Sequence, residues 1–417
     1  MKTERFTAVV FIFVIMAFMV MAFYSAGART KDLMEEPQRE IKIEWDKIYP
    51  FEDSDNDTRA QDDSSWYGYI KGRFEDYTSK KLPGYYKMVE TAKKYEDALA
   101  WNMVSVFDYN AVIKLKDGYL TSYTPSRDVS HNAEGLKSLA DLCAEKKIDF
   151  MYINFPSKIC VSDDRDICGT LDFSNENADK LLAMLKEYGI RTYDFRKNFH
   201  SAGMKHHESF FVTDLHWKPE TGLWAAGEIL KILRDDLKWD VDPGTLKPEN
   251  FSRKIYPELF LGAEGKKLTL SRAKPEDFTL IYPKFAARLK FEVPSLMLNL
   301  SGDFGITYDM TQLEPRDYYE KNAYSAYIYA NNPISLIENL NSRNGKRLVV
   351  VKDSFSDCVV QFAALEVQYV VVVDLRYFTG SLRNFIGTVN PDAVIVVYYS
   401  AVPGRTDELD KKFWDFR

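Results

Sequence analysis

RLVVVKDSFSDC, residues 347–358, joins four consecutive apolar residues to a polar turn and then to a helix-permissive segment, residues 359–366. The bounded apolar run predicts a short buried strand, and the order strand, tight turn, helix follows from it. Ser354 then stands at the tip of a strand and the start of a helix. Backbone N–H groups and the helix dipole there can stabilise an oxyanion, so the position suits a nucleophile. Asp353 and Ser354 are also favoured helix N-caps, which is a purely structural use of the same residues.

Outward from this turn the chain alternates. Residues 369–374 and 393–399 are nearly continuous Val and Ile, as buried parallel strands require. Toward the N-terminus, residues 111–123 read as a hairpin around Asp117-Gly118, 132–147 as a helix, and 149–155 as a strand closed by Pro156. A helix over 175–188 and a strand over 191–194 follow. This alternation predicts an α/β fold: a mostly parallel sheet with helices on both faces. Residues 66–102 and 334–341 are expected to be helical. Residues 235–320, richer in Pro, Lys and Asp, read as an irregular insertion, a lid or a substrate-facing edge.

The second informative stretch is FFVTDLHWKPETGLWAAGEILKIL, residues 210–233. Apolar residues at helical spacing after Pro219 place a helix start there, so Asp214 and His216 precede it, in a segment expected to be extended. Side chains two apart in an extended chain share a face. The carboxylate can then hold the imidazole in the tautomer that a general base requires; a structural histidine with a capping aspartate is the other use of the pair. His206, His207 and His216 lack the spacing of a zinc site, and no metal is expected.

The chain has 417 residues, 46% of them hydrophobic, enough for one large domain or two ordinary ones. A formal charge of -7 gives no broad basic surface, so nucleic acid is not an expected partner. Residues 6–24 are apolar apart from Thr7 and the closing tyrosine, long enough to cross a membrane. They read as a signal-anchor (1–28) that leaves the C-terminal portion extracytoplasmic; Ala26-Gly27-Ala28 offers a cleavage site for the alternative, a secreted chain. Residues 29–64 read as an acidic linker. Asp53, Asp55 and Asp57 imitate a calcium loop, but Thr58 and Ser64 stand where it needs Gly and Glu. Among four cysteines, Cys160 and Cys168 are close enough for a local disulfide, Cys143 is expected to be buried in its helix, and Cys358 follows the serine turn.

With TDLHW (213–217) and VKDSFS (351–356) both in view, the chain resembles the SGNH-hydrolase-like proteins that include the extracytoplasmic alginate O-acetyltransferases, and especially the related DHHW proteins. Further similar landmarks are KDGYL (116–120), Pro156 with Lys158, YIYANNP (327–333) and VDLRYF (373–378). The resemblance covers most of residues 66–400 and implies one SGNH-like domain over 65–417. It places the family's aspartate and histidine on Asp214 and His216 and its nucleophile on Ser354. Leu215 stands where DHHW proteins have a first histidine, and Lys352 replaces the glycine of the SGNH serine block, with consequences for access or oxyanion geometry.

In the implied chemistry Asp214 orients His216, His216 takes the Ser354 proton, and Ser354 attacks an acyl carbonyl, with no cofactor. Backbone N–H groups of the turn, Asn332 as a side-chain donor, Arg376 and Lys158 are the further oxyanion or substrate candidates. Because acetyl-CoA is cytoplasmic, the resemblance implies a membrane-bound O-acyltransferase as donor partner and a polysaccharide or cell-wall glycan as acceptor. A surface esterase with the same triad and a non-catalytic glycan-binding assembly protein are the competing readings.

Overall fold

β-branched runs set the centre of the molecule. The structure, a computed structural model, describes residues 112–115, 118–160, 172–313, 317–405 and 412–417. In chain order, β1 (Ile113–Lys114) and β2 (Leu120–Thr121) form a short antiparallel hairpin, with Gly118 at φ +85° in its turn. Then come α1 (Ser130–Glu145), β3 (Asp149–Phe155), α2 (Ser174–Glu187), β4 (Arg191–Asp194), α3 (Phe195–Ser201) and α4 (Pro219–Asp235). The middle of the chain gives β5 (Phe251–Phe260), α5 (Ala263–Leu268), β6 (Glu276–Pro283), β7 (Arg288–Val293) and β8 (Leu298–Asp303). The last part gives β9 (Ile334–Asn339), β10 (Arg347–Lys352), α6 (Val360–Ala363), β11 (Tyr369–Val373), α7 (Leu382–Val389) and β12 (Ala393–Tyr399).

Eight of these strands make one sheet in the order β4-β3-β12-β10-β11-β9-β7-β8. From β4 to β11 every pairing is parallel, and from β11 outward every pairing is antiparallel. Burial follows that division. Every residue of β12 is buried, as is all but the first of β3, β10 and β11, so the parallel half is covered on both faces. β9 buries alternate residues, and β8 alternates between half-buried and exposed, so this edge has one wet face.

Two expectations are corrected here. Residues 334–341 are not a helix: 334–339 form β9, antiparallel to β11 and β7. The inward positions are Ser335, Ile337 and Asn339, and two polar residues on the buried face hide the alternation. Asn339 is tolerated there because its amide donates to Leu365 O at 2.7 Å and its Oδ1 accepts from Asn341 and Ser342 N–H. Residues 235–320 are not irregular either. β7 and β8 extend the main sheet, and β5 and β6 form a separate antiparallel pair. Among the described residues no helix is long and apolar enough to cross a membrane. The expected anchor, the acidic linker, the helical 66–102 stretch and Cys168 lie outside the described residues.

Candidate active site

The serine turn forms at the C-terminal tip of β10, the strand between β11 and β12. It is tighter than expected. A 3₁₀ turn spans Ser354–Cys358, and the α-helical piece beyond it, α6, has only four residues rather than the eight expected from residues 359–366. Val359 and Val360, both β-branched, begin that piece and are poor helix formers. No long helix dipole therefore aims at Ser354. Asp353 is the cap: its Oδ1 accepts from Phe355 N–H at 2.9 Å and its Oδ2 from Tyr399 N–H at 2.6 Å. Burial pushes the Asp353 carboxyl up to about 6, against those two N–H bonds and the Arg376 and Lys352 charges. Ser354, relieved of capping, keeps its hydroxyl for another partner.

That partner is His216. The Asp214–His216 segment is not an extended strand but a run of bends closed by the Phe210–Trp217 bridge, with Phe211 N–H donating to His216 O at 3.1 Å. Inside this loop Asp214 Oδ1 accepts both the His216 backbone N–H, at 2.9 Å, and His216 Nδ1–H, at 2.5 Å. With Nδ1 protonated, Nε2 is the acceptor, and it lies 2.7 Å from Ser354 Oγ. Asp214 is buried, while His216 and Ser354 are half-buried. Burial would raise the Asp214 carboxyl, but His216 and the N–H groups of His216 and Ala263 outweigh it and hold the group well below the usual carboxylate range.

Three neighbours fix this line of groups. Trp217 Nε1–H donates to Phe355 O at 2.9 Å, fastening the histidine loop to the serine turn. Tyr324 stacks on the His216 ring with centroids 4.1 Å apart. Glu276 accepts from Val212 N–H, Thr213 N–H and Thr213 Oγ1–H at 2.6–2.7 Å. Gly262 and Ala263 complete the grip: Gly262 N–H donates to Thr213 Oγ1 and Ala263 N–H to Asp214 Oδ2. A Cβ on Gly262 would fall 2.2 Å from Asp214 Cβ, so only glycine allows that approach. Sequence reasoning missed Glu276, Gly262 and Tyr324; the local signal was FLGAEGKKL, two glycines in a stretch otherwise read as insertion.

The remaining candidates hold structure around the triad. Lys158, buried, donates from Nζ to the carbonyls of Leu120, Val212 and Asp214, and burial lowers its ammonium to about 8. It props the Asp214 loop from below. Asn332 donates to Tyr329 O at 2.8 Å and to Ala330 O, so its amide closes the 327–333 turn instead of facing an oxyanion. Arg376 grips Asp374 with Nε and Nη2 at 3.0 and 2.7 Å and also donates to Asn331 Oδ1. Lys352 turns away from the serine into the same cluster: Nζ lies 2.5 Å from Asp357 Oδ1, 2.8 Å from Asn331 Oδ1 and 3.3 Å from Asp374 Oδ2. Its side chain is 1% exposed, so it does not obstruct Ser354. Phe355 and Ser356 N–H groups are spent on Asp353, whereas among the described residues Ser354 N–H meets no acceptor.

Residues 115–256 match the family described as SGNH hydrolase-like domain, acetyltransferase AlgX. That stretch holds Asp214 and His216 and stops short of Ser354. No curated protein matches the chain. Among solved structures, Bacillus cereus PatB1 with a sulfonyl adduct superposes with a TM-score of 0.58 at 16% identity, over 73% of this chain and 98% of that one. A DHHW family protein from Eubacterium siraeum superposes with a TM-score of 0.51 at 16% identity, over 72% of this chain and 93% of that one. At these identities the likeness establishes the fold. Over residues 115–256 the chain is thus similar to the SGNH hydrolase-like domain of the AlgX acetyltransferase kind, a likeness that supports an acyltransferase or esterase.

Proposed function

We propose that this protein is an extracytoplasmic O-acetyltransferase that carries an acetyl group on Ser354 and passes it to hydroxyls of an exported or cell-surface polysaccharide. The observation that carries the reading is the unbroken hydrogen-bonded line from Asp214 through His216 to Ser354 Oγ. In the first half-reaction His216 Nε2 takes the hydroxyl proton as Ser354 Oγ attacks the acetyl carbonyl. The tetrahedral oxyanion collapses, the leaving group departs with the proton that His216 returns, and acetyl-Ser354 remains. In the second half, His216 takes a proton from a sugar hydroxyl, whose oxygen attacks the acetyl-serine, and Ser354 regains its proton. Ser354 N–H supplies a backbone donor to the oxyanion in both halves. Asp214 stays ionised throughout and stabilises the imidazolium.

The apolar run at residues 6–24 supports an N-terminal anchor with the catalytic domain outside the membrane. A membrane-bound O-acyltransferase then hands the acetyl group across. Asn332, Arg376 and Lys158 act in this scheme by shaping the site. The test uses purified protein, an activated acetyl ester and concentrated acetyl-free oligosaccharide. Acetylated glycan from wild type and none from Ser354→Ala is the expected result. Free acetate with unmodified glycan would assign an esterase, and glycan binding with neither product would assign a non-catalytic protein.

A further inference from the structure

Away from the triad, a cleft of about 520 Å³ is bordered by the segment after β3 (Pro156 to Cys160), by α2 and by α3. Among the described residues three clustered metal-binding side chains line it: Cys160, buried; His206, half-buried; and His200, exposed at the end of α3. One ligand atom from each lies within 4.8 Å of the others. Around a tetrahedral zinc with bonds of about 2.0–2.3 Å, ligand atoms sit roughly 3.3–3.8 Å apart, so the three close the site by drawing in about 1 Å. The exposed His200 ring has room to make that movement.

The surroundings are those of a metal ligand. His206 Nε2–H lies 2.9 Å from Ser157 O and 3.1 Å from Lys158 O, which places its proton on Nε2 and the lone pair on Nδ1. A backbone carbonyl taking the second ring N–H is the usual outer support of a metal-bound histidine. His200 and His206 face each other with ring planes 20° apart. Among the described residues the acids bordering the cleft are Asp179 and Asp194, both bound to Arg196.

We infer that Cys160, His200 and His206 bind one borderline-soft divalent metal ion, with zinc the best match to one thiolate and two imidazoles, and a fourth position open to the cleft. On binding, the Cys160 thiol gives its proton to solvent, the sulfur–metal bond forms and a water leaves the ion. No redox step is involved. The ion clamps the β3 exit to the segment after α3. It sits beside Lys158, whose carbonyl accepts from His206 and whose Nζ donates to Asp214 O, so the clamp stiffens the support of the Asp214 loop.

The test uses the reduced, chelator-stripped full chain titrated with Co²⁺ and then Zn²⁺. One equivalent of Co²⁺ is expected to give tetrahedral visible bands and a thiolate-to-metal charge-transfer band, which Zn²⁺ displaces. Cys160→Ser abolishes the charge-transfer band. His200→Ala alters an exposed residue, so the metal-free melting temperature stays unchanged. It should nevertheless weaken Zn²⁺ more than the ~10–100-fold that losing an outer-shell partner costs. A wild-type chain without the charge-transfer band, a band that survives Cys160→Ser, or Zn²⁺ affinity unchanged in His200→Ala each overturns the inference.

Discussion

Trp217 couples the two halves of the triad. Its indole N–H holds the carbonyl of Phe355, the residue next to Ser354, while its chain neighbour His216 meets the Ser354 hydroxyl. Trp217→Phe leaves that carbonyl with the 3.3 Å bond from Tyr324 OH and the weak 3.7 Å one from Cys358 Sγ–H. Loss of a buried donor costs about 1–3 kcal/mol; urea melts should read that drop. Pre-steady-state acylation should slow about tenfold, since 1.4 kcal/mol of misplaced geometry is one decade in rate. Asp353 and Ser354 competed in the sequence for the role of cap, and the structure separates them: the aspartate caps and the serine meets His216. Asp353 carries a pH signature. Its folded-state carboxyl near 6 lies above the ordinary 3.8, so between those values the folded state holds more protons and stability falls as pH rises. Asp353→Asn removes that dependence. Its melting temperature relative to wild type should therefore improve from pH 4 to pH 7; a constant difference would mean that Asp353 is not buried as a strained carboxylate.

At the scale of elements, the triad depends on what grips each loop. α5 begins at Ala263, just after the residue that touches Asp214. Gly262→Ala forces a methyl into the Asp214 side chain. Overpacking of this kind costs about 1–3 kcal/mol, and the acylation rate should fall further than stability alone explains, measured by turnover at a temperature where both proteins are folded. Lys352 and Arg376 meet at Asn331 Oδ1 and hold a turn in which Ile328, Tyr329 and Ala330 all have positive φ, at 45°, 58° and 67°. Such non-glycine conformations cost of order 1–3 kcal/mol each and persist only when their surroundings impose them. Lys352→Met leaves Asp357 and Asp374 short of a buried cation, and calorimetry should read a loss of about 3–5 kcal/mol. The regular elements with uniform periodicity were legible: β3 and β4 match the residues expected from sequence. β9 was not, because Ser335 and Asn339 face the core. The grip on Asp214 was not legible either, because Glu276 and Gly262 lie 62 and 48 residues from it in sequence, and only folding brings them to Thr213 and Asp214.

For the whole molecule, the parallel half of the sheet brings together residues 138 positions apart. Sequence supplied the residue types of the triad through two local patterns, Asp-x-His-Trp and Asp-Ser at a strand tip. It could not supply the direction of long side chains. Lys352, Arg376 and Lys158 carry charge and invite a functional reading, yet each is turned inward, where burial requires a partner and gives it one. Cys160, His200 and His206 were not legible as one set for the converse reason: their spacing is irregular, and the cleft between three segments unites them. The central claim is that His216 makes Ser354 a nucleophile. Intact-mass spectrometry after acid quench of protein mixed with an activated acetyl ester tests it most directly. The account predicts one acetyl group, mapped to Ser354 in the proteolytic digest, lost in Ser354→Ala and greatly slowed in His216→Ala. An unlabelled wild-type protein, or a label on another residue that survives Ser354→Ala, would contradict it.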